Sequence, residues 1–179
     1  VEFMKNIRFY AKPFILQWAH GHTGGGTVLV KSEAELAALK ARFPERRSRV
    51  SAYVDGPSFT VNVLVTPERI ITSAPSYQIT GKAPFTDGPF ATIGNDWGLA
   101  HKILSPEDKN WIRALAEEIG AKMQKDYWRG LFGIDLIREA GTNKFFLIEI
   151  NARQPASTTF ESNLQEMKRN EGALSLTTF

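Results

Sequence analysis

One stretch constrains this chain more than any other: Leu147-Ile148-Glu149-Ile150-Asn151-Ala152-Arg153. Read as a strand, whose side chains alternate between faces, it puts Glu149, Asn151 and Arg153 on one side. Phe146, Ile148 and Ile150 then fall on the other, as a strand packed on a core requires. Upstream, Leu131 to Ile137 reads as the partner strand, with Ala140-Gly141-Thr142-Asn143-Lys144 as the turn between them. A turn centred on Thr142 sets Asp135 directly opposite Glu149. Two carboxylates opposed across a ladder repel each other, and folding alone does not ask for them. A divalent cation between them converts that repulsion into binding, and ligands that are all oxygen suit magnesium.

Composition narrows the setting. With 179 residues, 42% hydrophobic and 23% charged, the chain can bury a core as one domain or two small lobes. Its apolar runs stay far below the roughly 18 residues of a membrane span, so no membrane association is expected. There is no cysteine, which excludes disulfides and thiolate metal sites and suits a reducing cytoplasm. The net charge of +3 is small and its basic residues are scattered. The one run, Arg46-Arg47-Ser48-Arg49, reads as a solvated loop and is too short to indicate nucleic-acid binding.

Along the chain, Phe14 to Gln17 reads as a short strand and Val28 to Val30 as another. Between them lies the glycine-rich loop Gly21-His22-Thr23-Gly24-Gly25-Gly26-Thr27. Ser32-Glu33-Ala34-Glu35 has the form of a capping box and opens a helix to about Phe43. Val50 to Val54 is a strand ended by Asp55-Gly56-Pro57. Phe59 to Thr66 and Arg69 to Ala74 form a hairpin around Pro67-Glu68. Residues 75–100 are rich in Gly, Pro, Asn and Asp and read as a long functional loop containing short strands. Ser105-Pro106-Glu107-Asp108 starts a helix whose apolar face is Trp111, Ile112, Leu115, Ile119 and Met123. A final helix is expected from about Phe160 to Lys168.

The glycine loop by itself is ambiguous. Thr27 stands where a P-loop needs Lys, and a strand follows in place of a helix. The spacing also misses the dinucleotide fingerprint. It is either a flexible hairpin or a flap whose backbone N–H groups close over phosphates. His20 and His22, without a third ligand, read as polar loop residues, Asn95-Asp96 as a turn, and Tyr53 and Trp97 as packing residues.

Taken in order, these features resemble the ATP-grasp superfamily over roughly Pro13 to Ser157. The resemblance implies an α+β fold of two lobes holding ATP between them: residues 1–56 as the small lobe with the glycine loop and linker, and 57–179 as the large lobe with the metal site. It implies that Asp135, Glu149 and Asn151 hold magnesium or manganese and that Arg153 faces the reacting phosphate. It places Gly21, His22, Thr23, Gly24, Gly25, Gly26 and Thr27 over the ATP phosphates. The linker Ser51, Ala52, Tyr53 and Val54, with Ser58 beyond it, would meet the nucleoside. Gln17 occupies the strand position where the family has an ATP-contacting Lys, Ser51 a position commonly Glu, and Ser58 a position commonly acidic. Gln adds no positive charge, and Lys82 is the cation expected to replace it.

The implied activity is phosphoryl transfer from ATP to a carboxylate, giving an acyl phosphate that an amine attacks. Small-molecule carboxylate and amine substrates are expected, an amino acid or peptide among them, and the oligomeric state is left open. Two alternatives stand beside it. One is a nucleotide-binding module with weak or no catalysis, and the other a biotin-carboxylase-like or carbamoyl-phosphate-forming enzyme. The upstream substrate domain of such ligases is expected to lie outside this chain.

Overall fold

The computed structural model describes residues 1–18 and 26–171. Its contacts divide into two units, Val1–Asp55 with Thr80–Ile93, and Gly56–Ile79 with the described chain from Gly94. Both are built on antiparallel sheets with helices, an α+β architecture.

The first unit carries strands β1 (Glu2–Phe3), β2 (Phe14–Trp18), β3 (Thr27–Val30) and β4 (Arg47–Ala52), in the order β1-β4-β2-β3. Helix α1 (Glu33–Arg42) begins where the sequence indicates, because Ser32 Oγ accepts the Glu35 N–H at 3.2 Å. The Glu35 carboxylate closes the same turn one residue earlier than a capping box would, on the Lys31 N–H at 2.7 Å. Leu36 of α1 sinks into a core with Met4, Ile7, Phe14, Leu16 and Val30. Strand register then sorts the faces. Leu16 lies opposite Val28 and Val50 on the core side, while Gln17 lies opposite Thr27 and Arg49 on the open side.

The basic run is therefore no loop. Arg47 and Arg49 alternate with Ser48, which is fully buried at a core position. A serine where strand patterning leads one to expect an apolar residue hides β4 from a hydrophobic reading.

The second unit has strands β5 (Ser58–Val65), β6 (Ile70–Thr72), β7 (Ser76–Thr80), β8 (Thr92–Asp96), β9 (Gly130–Arg138) and β10 (Phe145–Asn151). The sheet runs β10-β9-β5-β7-β8, with β6 paired to β5. Phe59, Val61, Val63 and Val65 of β5 alternate into a core with Phe132, Ile134 and Leu136 of β9. Helix α3 (Pro106–Lys125) covers that face with Ile112 and Ala116, and helix α2 (Trp97–Ile103) adds Ala100. Helix α4 (Thr158–Asn170) follows β10. At the start of β5, Gly56 has φ +152°, and a Cβ there would sit 1.9 Å from the Arg138 carbonyl oxygen. Only glycine lets the chain pass β9 that closely.

Helix α3 starts in a complete capping box. Ser105 Oγ accepts the Asp108 N–H at 3.1 Å, and the Asp108 carboxylate accepts the Ser105 N–H at 3.1 Å. Ser105→Ala removes one of these bonds at an exposed end and is expected to cost about 1 kcal/mol, read by urea unfolding.

Helix α2 begins within the stretch read as loop and runs three residues beyond it. Asp96 is its N-cap, accepting the Leu99 N–H at 2.8 Å, and Asn95 donates to Ser76 Oγ at 3.0 Å. Seven residues are too few for a helical period to stand out among glycines and prolines. The β9–β10 hairpin also differs from its expected form. Near the turn, Phe145 pairs with Arg138, which centres the turn between Gly141 and Thr142. A register shift between Leu147 and Glu149 then inserts one extra residue, Ile148. Leu147 consequently faces with Leu136 and Ile150 with Ile134, while Phe146 shares the face of Glu149 and Asn151. The expected grouping of Phe146, Ile148 and Ile150 on one face is broken by this bulge.

Candidate functional site

The opposed pair is present in the register: Glu149 of β10 lies directly across from Asp135 of β9. Residues directly opposite share a face, here the one turned away from the Phe59–Leu136 core. That face is polar along β5 as well, where Ser58, Thr60 and Asn62 alternate with the apolar core residues.

Asp135 is half-buried and held by three donors. Thr60 Oγ1 donates to its Oδ1 at 2.6 Å and Gln78 Nε2 to the same oxygen at 2.9 Å. Asn151 Nδ2 donates to its Oδ2 at 2.9 Å. Arg153 lies just past β10, where its N–H donates to the Asn151 carbonyl at 2.7 Å and its Nη2 to Asn151 Oδ1 at 3.4 Å. Burial pushes the Asp135 carboxyl above the usual range. The Thr60, Asn151 and Gln78 bonds and the Arg153 charge work against that rise without cancelling it. Asp135, Asn151 and Arg153 therefore form one bonded group, with Glu149 exposed beside them on the edge strand.

The donor set fits a hard divalent cation. It offers two carboxylates and one carboxamide oxygen, no sulfur and no imidazole, and Asp135 is a carboxylate whose charge the protein alone does not fully compensate. Among the described residues no group of three or more His, Asp or Glu could hold a metal. Two protein carboxylates are what magnesium ordinarily uses when phosphate and water oxygens complete its shell.

In the first unit, Gln17 stands in a row with Thr27 and Arg49 on the open face, and Arg49 Nη2 donates to Gln17 Oε1. Gly26 is buried, and its carbonyl accepts the Trp18 N–H at 2.8 Å. Gly21, His22, Thr23, Gly24 and Gly25 lie outside the described residues, as does His20. Ser51 and Ala52 end β4, with Ser51 opposite Ile15 and Ala52 opposite Phe14. Val54 follows, and the Tyr53 hydroxyl donates to Asp55 Oδ1 at 3.2 Å. Burial and the Asp55 charge raise the Tyr53 pKa, so its hydroxyl stays protonated. Lys82 sits at a turn whose Phe85 and Thr86 N–H groups donate to its carbonyl. Ser58 belongs to the second unit, on the polar face with Thr60.

Sequence reading missed Thr60 and Gln78, both bonded to Asp135, and Arg49, bonded to Gln17. The signal for Thr60 was available: Ser58, Thr60 and Asn62 interrupt an apolar strand at a spacing of two, which marks a sheet face that is not core. Gln78 carried no such mark, since β7 is short and partly buried on both faces.

Solved structures share this fold. The chain is similar to N5-carboxyaminoimidazole synthetase from Staphylococcus aureus complexed with ADP, with a TM-score of 0.63 and 15% identity, over 86% of this chain and 37% of that one. D-alanyl-alanine synthetase A from Vibrio cholerae gives a TM-score of 0.60 and 18% identity, over 80% of this chain and 43% of that one. L-amino acid ligase from Bacillus licheniformis gives 0.56 and 17%, over 89% and 36%. The chain thus spans less than half the length of each of these. No curated protein matches it by sequence alone. Residues 3–157 match the ATP-grasp domain family, nearly the whole of both units, and the chain belongs to that family.

Proposed function

We propose that this chain is the nucleotide- and magnesium-binding part of an ATP-dependent ligase that joins a carboxylate to an amine. The observation that carries the reading is the bonded group of Asp135, Asn151 and Arg153 with Glu149 directly across the ladder. When bound, magnesium or manganese neutralises phosphate charge and orients the phosphates. Asp135, Glu149 and Asn151 would hold it. Asn151 also holds the Arg153 guanidinium by its Oδ1. From there Arg153 would offer planar N–H donors to the transferring phosphoryl group.

In the reaction, a carboxylate oxygen attacks the γ-phosphorus and the bond to the β-phosphate oxygen breaks, releasing ADP. The amine then attacks the carbonyl carbon of the acyl phosphate, inorganic phosphate leaves, and the amine proton passes to solvent. Little covalent work falls to side chains, so positioning and charge are the protein's contribution. The likeness to D-alanyl-alanine synthetase A and L-amino acid ligase supports amino-acid substrates. Gln17, a neutral residue at the position of the family's lysine, favours as second reading a module that binds nucleotide without turnover.

The test is ADP release by the intact protein with Mg-ATP and a panel of amino acids. Release that requires both a carboxylate and an amine supports the ligase. Nucleotide binding without release selects the binding module, and release that follows added bicarbonate selects a carboxylase.

A further inference from the structure

The two carboxylate oxygens of Asp135 are not held alike. Oδ1 accepts twice, from Thr60 Oγ1 at 2.6 Å and from Gln78 Nε2 at 2.9 Å. Thr60 of β5 pairs directly with Asp135, and Gln78 lies one strand further in, on β7. Thr60 is buried and its Oγ1 accepts from Gln78 Nε2, which leaves its single hydroxyl hydrogen for Asp135. Among the described residues Oδ2 accepts from Asn151 Nδ2 alone, at 2.9 Å, from the end of the edge strand β10.

Burial alone asks for donors to Asp135. It does not ask that two of them share one oxygen and come from the side of β9 opposite to Glu149. A carboxylate offers about four lone-pair sites, two on each oxygen. Thr60 and Gln78 fill both sites on Oδ1, and Asn151 fills one on Oδ2. The remaining site on Oδ2 is where a cation can meet this carboxylate, so Asp135 is confined to one ligand oxygen. Hard cations differ in how they suit that. Magnesium demands near-ideal octahedral geometry at about 2.0–2.1 Å and takes one or two carboxylates beside phosphate and water oxygens. Calcium takes about 6–8 oxygens at about 2.3–2.6 Å and readily uses both oxygens of one carboxylate.

We infer that Thr60 and Gln78 are positioning residues that set the cation preference of this site: by occupying Oδ1 they confine Asp135 to one ligand oxygen and so favour magnesium over calcium. The inference rests on the magnesium-binding reading above and extends it to two residues that touch no cation themselves.

The test is calorimetric titration of the intact protein with ADP in the presence of magnesium, of calcium and of a chelator, with melting curves to show that each variant is folded. In the wild type magnesium should raise ADP affinity more than calcium does. Thr60→Val keeps the shape and strand preference of the side chain but removes the hydroxyl, which opens a site on Oδ1. It should lose roughly tenfold or more of the affinity that magnesium adds, as for an outer-shell partner of a metal ligand. With calcium the loss should be several-fold smaller, so the preference narrows. Gln78→Leu should shift the preference in the same direction, and it takes the place of Thr60→Val if that variant does not fold. Thr60→Ser restores the hydroxyl and should keep the wild-type preference.

Equal losses with magnesium and calcium in these variants would mean that Thr60 and Gln78 only support the fold around Asp135. That result, unchanged affinities in both Thr60→Val and Gln78→Leu, or a wild type that does not discriminate between the cations, overturns the inference and leaves the magnesium reading standing. Wild-type ADP affinity that is the same with magnesium and with chelator overturns the magnesium reading as well. Absence of ADP binding under all three conditions overturns the nucleotide reading with them.

Discussion

Glu149→Gln should lose roughly a hundredfold in affinity for Mg-nucleotide while its melting temperature without ligand holds or rises slightly. The two halves of this result have different causes. Without metal, Glu149 is an exposed carboxylate on an edge strand, directly opposite Asp135, so removing its charge relieves repulsion and breaks no hydrogen bond to it that the structure shows. With metal, the variant lacks one of two carboxylate ligands, and losing even an outer-shell partner of a metal ligand costs about 10–100-fold. Ligand at 100 times the wild-type dissociation constant stabilises the native state by about 2.7 kcal/mol. After a hundredfold loss the same concentration contributes about 0.4 kcal/mol. Thermal melts with and without Mg-nucleotide read this as a nearly vanished upward shift. An undiminished shift would remove Glu149 from the ligand set. The raised pKa of Asp135 adds a sign: at low pH its proton must leave before a cation enters, so magnesium affinity should fall as pH falls.

The second large effect concerns a carboxylate outside that site. Glu161 of α4 is only 4% exposed, and its Oε2 accepts from Asn62 Nδ2 at 2.7 Å. Asn62 also donates its Nδ2 to Ser157 Oγ at 3.0 Å and its N–H to Ser73 Oγ at 2.9 Å, so β5 and the start of α4 share one buried polar network. Burial raises the Glu161 pKa from 4.5 to about 7, against the lowering effect of its bonds to Asn62 and Ser73. The folded state therefore holds this proton more tightly than the unfolded state. The resulting stability is fully present below pH 4.5 and is lost as pH rises through about 7. A shift of that size corresponds to roughly 3 kcal/mol.

Glu161→Gln keeps an oxygen to accept from Asn62 and cannot ionise. It should match the wild type within about 1 kcal/mol at pH 5 and exceed it by up to about 3 kcal/mol at pH 8, as urea unfolding at both pH values will show. Equal differences at the two pH values would mean that Glu161 does not titrate in this window. Asp135 is raised as well, so part of the wild-type slope should survive in the variant.

Local chemistry is what could be read from the chain. Ser105-Pro106-Glu107-Asp108 opens α3 because a cap needs only residues three apart. The Asp135–Glu149 opposition was expected from a turn centred on Thr142, and the order of motifs from the glycine loop to Glu149-Ile150-Asn151-Ala152-Arg153 carried the family. The route to that opposition was not visible. The turn closes half a residue early and the Ile148 bulge restores the pairing, a cancellation that residue counting cannot detect. Tertiary structure alone decided who holds Asp135 and who stands beside Gln17. Thr60 meets Asp135 across 75 residues, and Arg49 meets Gln17 across 32. Those meetings depend on which strands become neighbours, and that is set by burying Leu16, Phe59 and their partners in two cores. The polar residues on the opposite faces are carried along. Their own spacing in the chain holds no record of where burial of the apolar face will put them.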